Sequence, residues 1–195
     1  MKIVIVSGSH HLNSQSLKIS EYLSKRSQHF GCDAEVVDLA TANLPFWSGP
    51  HAGHAHWKKI QPKFESADGY IVVCPEWGGM VTPQLKNLFL YTTSKEVGHK
   101  PALITSISAG AGGAYPVSEL RMSGYKNTKI CYIPEHLVVR GVAQVLNTPN
   151  DSNGEDQRMR ERVDHHLQVL KAYAESMKTM RINATVDLHE FPHGM

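Results

Sequence analysis

Three short stretches concentrate the side chains and backbone donors able to do chemistry. The first, Gly8-Ser9-His10-His11-Leu12-Asn13-Ser14-Gln15-Ser16, packs hydroxyls, imidazoles and amides between an apolar run and a helix-forming stretch. A loop ending at a helix N-terminus offers unpaired N–H groups and about half a positive charge, so it can hold a phosphate without a large basic patch. Simple capping by Ser14 and Ser16 is the structural alternative. The spacing is neither GxGxxG nor GxxxxGKS/T, which argues against a Rossmann dinucleotide site and an ordinary nucleoside triphosphate site. The other two stretches are Pro75-Glu76-Trp77-Gly78-Gly79 and Ser108-Ala109-Gly110-Ala111-Gly112-Gly113. Glycines there let a backbone approach a flat ligand closely, or merely make a flexible turn.

Twelve histidines are many for this length. His51, His54 and His56 can converge on a divalent cation. No carboxylate or thiolate partner stands beside them and the spacing fits no metal signature, so no metal is expected. His165 and His166 are adjacent on the last helical stretch, so at least one faces solvent, and His189 and His193 fall in a terminal tail. Cys32, Cys74 and Cys131 are odd in number and lack CxxC spacing, and read as small buried hydrophobes. Linear order yields no Ser-His-Asp arrangement.

The elements that position these loops follow from periodicity. Lys2 to Ser7 and Gly69 to Cys74 are uninterrupted β-branched or apolar runs, the pattern of strands buried on both faces of a parallel sheet. Ala34 to Leu39, Lys100 to Ser106 and Lys129 to Ile133 supply three more strands. Helices are expected over Ser14 to His29, stopped by Gly31, over Trp57 to Ala67, interrupted or begun at Pro62, and from Pro83 with Thr82 as its cap. Two more are expected over Tyr115 to Gly124 and Glu155 to Met180. Pro45 to His54 reads as a long loop and Asn147 to Gly154 as a linker. Alternating strands and helices imply right-handed βαβ units in a three-layer α/β sandwich, with a five-stranded parallel sheet in the order 2-1-3-4-5. Ligands bind such sheets beyond the carboxyl ends of the strands, the edge to which all three loops belong.

Composition narrows the class. A chain of 195 residues, at ~150 residues per domain, gives roughly 1.3, so one domain over 1–182 with a tail over 183–195 is expected. Hydrophobic residues at 41% supply a core, and a net charge of +2 without charge blocks makes neither nucleic acid nor an anionic membrane a default partner. No apolar run approaches the ~20 residues that span a bilayer. Ser7-Gly8-Ser9 ends the first run too early for a signal-peptide core, so the expected location is the cytoplasm.

The strand-GSxxxxSxS-helix opening, Pro75-Glu76-Trp77-Gly78-Gly79 followed by Pro83-Gln84-Leu85-Lys86-Asn87, and Ser108 to Gly113 together resemble the NADPH-dependent FMN reductase family. These are flavodoxin-like proteins that include quinone, azo-dye and chromate reductases. The resemblance runs from residue 1 to about 145. The third-strand loop is its most specific part, against a family pattern of PEYN, a short spacer, then PxxLKN. It implies a flavodoxin-like sandwich that binds FMN and takes a hydride from NADPH, or NADH, at flavin N5. Electrons would pass to a quinone, free flavin, azo compound or metal oxyanion in a ping-pong scheme with no side-chain nucleophile. The resemblance implies cofactor contacts from Ser9, His11, Ser14, Gln15 and Ser16, then Pro75, Glu76, Trp77 and Gly78, then Ser108, Gly110 and Gly113. It also implies a homodimer or homotetramer, with the helix from Pro83 to Thr93 at the interface.

Three departures from the family stand out. His11 occupies the usual arginine position, and an imidazole with one or two donors replaces a permanent charged fork. Trp77 replaces a tyrosine, and Gly78 an asparagine, which removes any side-chain amide contact. Glu76 is usually structural, with proton donation to a quinone as the alternative. A flavodoxin-like electron carrier and a non-catalytic FMN-binding module are the rival readings, although such carriers are usually acidic.

Overall fold

The computed structural model describes residues 1–50, 54–147, 154–188 and 190–191. In chain order the elements are β1 (Lys2–Ser7), α1 (Gln15–His29), β2 (Asp33–Asp38), α2 (Leu39–Ala42), α3 (His54–Ser66), β3 (Gly69–Pro75) and α4 (Pro83–Tyr91). They continue with α5 (Ser94–Val97), β4 (Pro101–Ile107), α6 (Tyr115–Met122), α7 (Tyr125–Thr128), β5 (Cys131–Val139) and α8 (Gly154–Asn183). The five strands form one parallel sheet in the order β2-β1-β3-β4-β5, the flavodoxin-like arrangement that the sequence predicts.

The period of two along each strand divides the core between the two faces. Ile3 and Ile5 of β1, Ile71 and Val73 of β3 and Leu103 of β4 pack with Ile19 and Leu23 of α1 and Val163, Leu167 and Leu170 of α8. Val4, Val6, Tyr70, Val72 and Ile104 turn the other way, onto Phe64 of α3, Leu85 and Leu88 of α4 and Leu120 of α6. α1 and α4 thus leave neighbouring strands β1 and β3 for opposite faces. This reversal opens a crevice at the carboxyl edge of the sheet.

Several boundaries differ from the expected ones. β5 continues through Pro134 to Val139, where the sequence suggests a stop at Ile133. It lies at the sheet edge, where proline is tolerated, and a bulge absorbs it: β4 moves from Ala102 to Ile104 while β5 moves from Tyr132 to His136. α3 begins at His54 and carries Pro62 in its interior, with Trp57 and Phe64 holding it to the core. The stretch from Tyr115 to Gly124 stops at Met122, and Gly124 at positive φ (78°) starts the separate α7. The one-turn helices α2 and α5 carry no periodic signal. α8 runs to Asn183, and Lys129 Nζ donates to Leu188 O at 2.7 Å beyond it. His51, His189, His193 and residues 148–153 of the expected linker lie outside the described residues, as does the side chain of His54. His165 is exposed and His166 half-buried. Among the described residues no helix is long and apolar enough to cross a membrane.

Candidate functional site

β1 delivers its chain to the crevice through Gly8, whose N–H donates to Val73 O of β3 at 2.8 Å. A Cβ on Gly8 would stand 2.6 Å from that same oxygen, so only glycine lets the two strands approach this closely. Ser9 is buried, and its Oγ accepts the N–H of His11 at 3.0 Å, which curls the loop. Asn13, at positive φ (52°), turns the chain into Ser14, the N-cap of α1, whose Oγ accepts the Leu17 N–H at 3.1 Å. Ser14 therefore does the capping that the bland reading assigns to it. Ser16 does not: its Oγ is buried and has no hydrogen-bond partner among the described residues. The first turn of α1 carries no acidic residue, so its unpaired N–H groups and dipole remain available to an anion.

The third loop opens with a two-residue hairpin. Trp77 N–H donates to Met80 O (3.3 Å), Met80 N–H donates to Trp77 O (3.1 Å), and Gly78 and Gly79 between them both have positive φ (57° and 73°). A turn of this kind needs left-handed backbone at both central positions, which accounts for the glycine pair. Thr82 stands at the N-cap of α4 but does not cap it. Its Oγ1 donates to Gly8 O at 2.6 Å, tying the third loop to the first.

Glu76 holds the fourth-strand loop. Its N–H donates to Ile107 O at 2.9 Å, and its Oε2 accepts the N–H groups of Gly113 (2.8 Å) and Tyr115 (3.2 Å). From the other side Arg140 Nε donates to Ala111 O (2.7 Å) and Gly112 O (3.0 Å). Ser108 Oγ donates to Gly110 O at 2.9 Å. Gly113, at φ 100°, has no room for a Cβ, which would meet Val138 at 2.9 Å, whereas a Cβ on Gly110 would meet nothing.

The three loops enclose a cleft of about 310 Å³. Ser9, His11, Ser14, Gln15, Ser16, Pro75, Glu76, Trp77 and Ser108 line it, together with Leu12, Asn13, Ile107, Ala109 and Val142. Gly78, Gly110 and Gly113 lie in the same loops without lining the cleft. At its mouth the half-buried Trp77 ring meets the exposed His10 and His11 rings at centroid distances of 4.7 and 4.9 Å. Beneath the third loop, burial pushes the Cys74 thiol up to about 12, so it stays protonated at neutral pH and supplies no thiolate.

Larger depressions exist elsewhere. Of the cations lining the one between α1 and α8, Lys18 Nζ donates to Val142 O, Val145 O and Asn147 Oδ1, and Arg26 makes a two-pronged bond to Asp164. Among the described residues no group of His, Cys, Asp and Glu is placed to hold a metal ion. Sequence reasoning missed Arg140, Val142 and Lys18, which buttress the cleft. All three act through backbone carbonyls or packing, which leave no motif.

A model of the family described as NADPH-dependent FMN reductase matches residues 1–144. An NADPH azoreductase of Bacillus sp. (strain OY1-2) is 24% identical over 183 residues, covering 93% of this chain and 97% of the relative. An FMN-dependent NADPH-azoreductase of Staphylococcus saprophyticus is 26% identical over 128 residues, covering 63% and 68%. The fold matches that of the flavoenzyme NAD(P)H:(acceptor) oxidoreductase FerB from Paracoccus denitrificans with a TM-score of 0.72 at 16% identity, covering 90% of this chain and 98% of that one. With the family match spanning most of the chain and the sheet order agreeing with it, the chain belongs to the NADPH-dependent FMN reductase family and is an FMN-dependent oxidoreductase that draws on NADPH.

Proposed function

We propose that the three-loop cleft is the FMN site and that the acceptor is a small organic molecule, an azo compound or a quinone, taken in turn with NADPH in a ping-pong scheme. Free flavin and metal oxyanions are the other acceptors the family resemblance allows. The observation that carries the reading is Ser16 Oγ, buried without a partner among the described residues at the N-terminus of α1, where it lines the cleft. A buried hydroxyl without a partner costs about 1–3 kcal/mol, and a phosphate there would relieve it. Ser9, His11, Ser14, Gln15 and Ser16 would hold the phosphate end, and Pro75, Glu76, Trp77, Gly78, Ser108, Gly110 and Gly113 the ring system. The donor set suits a dianion: helix-end amides, hydroxyls and an imidazole, with no carboxylate in the first turn.

When bound, FMN supplies the hydride chemistry at its N5 atom. The chain's own residues bind and orient: Glu76 and Arg140 hold the fourth-strand loop, and Trp77 presents an aromatic wall. Glu76 already accepts two backbone N–H bonds, which favours a structural role over proton donation. Overall, NADPH, one proton and a quinone yield NADP⁺ and a hydroquinone, and an azo group takes two such rounds to give two amines. The azoreductase relatives favour an azo acceptor. A homodimer or homotetramer through α4 is part of this reading, supported by the exposure of Phe46 (75%), Leu90 (56%) and Met122 (77%). The functional unit is taken to be 1–182, with 183–195 as a tail.

The test is cofactor analysis followed by steady-state kinetics. FMN released by heat, with parallel double-reciprocal plots for NADPH and an azo dye, is the expected result. FAD alone, or no flavin after reconstitution, overturns the site assignment. Bound FMN without NADPH turnover favours an electron carrier.

A further inference from the structure

Trp77 lines the cleft from a two-residue hairpin tip, a perch that does not by itself fix the ring. The fixing comes from outside the cleft. His10 meets the indole edge-on, with ring planes at 90° and centroids 4.7 Å apart, the T-shaped geometry that aromatic quadrupoles favour. His10 is itself held, since its Nδ1–H donates to Gln84 Oε1 in the first turn of α4 at 2.9 Å. Together with the Thr82 Oγ1–Gly8 O bond, it ties the first loop to α4 and its N-cap twice.

We propose that His10 is a positioning residue which, braced by Gln84, sets the Trp77 indole as the stacking wall for planar, multi-ring aromatic acceptors and so makes the cleft select them over compact ones. This inference rests on the function proposed above. The exposed His10 ring stands perpendicular to the indole, bonds to Gln84 and is not part of the cleft lining. It acts through the ring it braces. The second histidine, His11, lies tilted at 44° against the same indole and adds a further flat surface at the mouth.

In a ping-pong scheme kcat/KM for the acceptor reports only the half-reaction in which the acceptor takes part. The holoenzyme, with its FMN content measured first, is assayed with a naphthoquinone and with ferricyanide. In His10→Ala the ratio of the two kcat/KM values should fall about threefold to tenfold, the size of one aromatic pair contact. The loss should appear in the naphthoquinone KM. Gln84→Ala, which keeps the ring and loses its brace, should lower the ratio by a smaller factor, and His10→Phe, which likewise keeps a ring without the bond to Gln84, should restore it to the Gln84→Ala level. Calorimetric titration with 2-naphthoate, which is not reduced, should show the same order of affinities. An unchanged ratio and an unchanged naphthoate affinity in both His10→Ala and Gln84→Ala overturn the proposal, as does an equal loss with both acceptors. A wild type that binds FMN but oxidises no NADPH removes the underlying function, a result distinct from either.

Discussion

The amino edge of the sheet carries a network of paired buried polar groups, and the carboxyl edge a set of buried hydroxyls beside a cleft. At the amino edge Lys100 Nζ donates to Phe64 O (3.0 Å) and Glu65 O (2.9 Å), the last carbonyls of α3. Tyr70 OH bridges to Phe64 O and Glu96 O, and Glu96 accepts from Gln61 and from Thr93. Asp68 receives the Lys2 N–H and the Lys178 ammonium. At the carboxyl edge the hydroxyls of Ser7, Ser16, Thr105 and Ser106 are buried and find no partner among the described residues. Leaving a polar group unpaired costs stability. Ser27 near the end of α1 and Tyr132 at the start of β5 also have buried hydroxyls without a partner among the described residues, but of all these groups Ser16 is the one that lines the cleft, where a bound anion would satisfy it. The paired network lies where the strands begin and the cleft where they end.

The largest effect expected from this contrast is at Lys100. Replacing it with methionine takes the Lys100 donor from Glu65 O and leaves Phe64 O to Tyr70 OH, and should lower unfolding free energy by about 2–4 kcal/mol in urea while leaving FMN affinity within about twofold. The pH dependence carries a sign. Burial holds the Lys100 ammonium at about 8 in the folded chain, below the ordinary 10.5. Between those values the unfolded chain binds more protons, so this group's contribution to stability rises as pH climbs from 8 towards 10.5, by at most about 1.4 kcal/mol per pH unit. The difference between wild type and Lys100→Met should therefore widen with pH in that window. A loss below about 1 kcal/mol, or an FMN affinity that falls with stability, would erase the distinction between the edges.

At the carboxyl edge the effects should fall on binding. Glu76→Ala frees the Gly113 and Tyr115 N–H groups from a charged acceptor and unpins the fourth-strand loop. FMN binding should weaken by about 1.5–3 kcal/mol, read as a faster release of flavin fluorescence on dilution. A release rate equal to that of the wild type would mean that Arg140 alone holds the loop. Ser16→Ala sharpens the contrast further. It removes a buried hydroxyl that has no partner among the described residues, so apoprotein stability should rise, by up to about 1–3 kcal/mol, while FMN dissociation should rise about tenfold, equivalent to ~1.4 kcal/mol. Lost stability in the apoprotein with unchanged FMN affinity would return Ser16 to the core.

These positions also show what the sequence could and could not reveal. The strands of the buried sheet were legible because a period of two and uninterrupted β-branched runs survive any tertiary context, and the three loops because their glycine and hydroxyl clusters interrupt those runs. Lys100 was legible only as the start of a strand. Its partners Phe64, Glu65 and Tyr70 come from a crossover more than one element away, and no local pattern records a side chain that reaches another helix's carbonyls. Arg140 was hidden by Pro134, because a proline reads as a strand end unless the strand is known to lie at an edge. Glu76 stood in the motif, but its bonds to Gly113 and Tyr115 depend on the β3–β4 register, which composition does not encode. Ser14 and Ser16 looked equivalent, and only the cap geometry separates them.

The smallest effect expected is at His11, and it bears on how the carboxyl edge attracts its anion. The cleft is lined by hydroxyls and a helix N-terminus and, among the described residues, by no guanidinium, whereas the family pattern has arginine at the His11 position. His11 lines the cleft with its ring against Trp77, so it spends part of its surface on the indole and leaves the rest exposed. Substituting arginine adds a charge that persists at every working pH and a planar fork suited to phosphate. Because the position is exposed, solvent screens most of that gain, and the expected tightening of FMN at low salt is about threefold, near ~0.6 kcal/mol. Raising the salt to about 0.5 M shortens the screening length and should reduce the difference towards unity. Apoprotein titrations with FMN at two salt concentrations measure it. If His11→Arg leaves affinity unchanged at low salt, the N-terminus of α1 with Ser16 supplies the anion binding at this edge and the imidazole serves only the aromatic mouth.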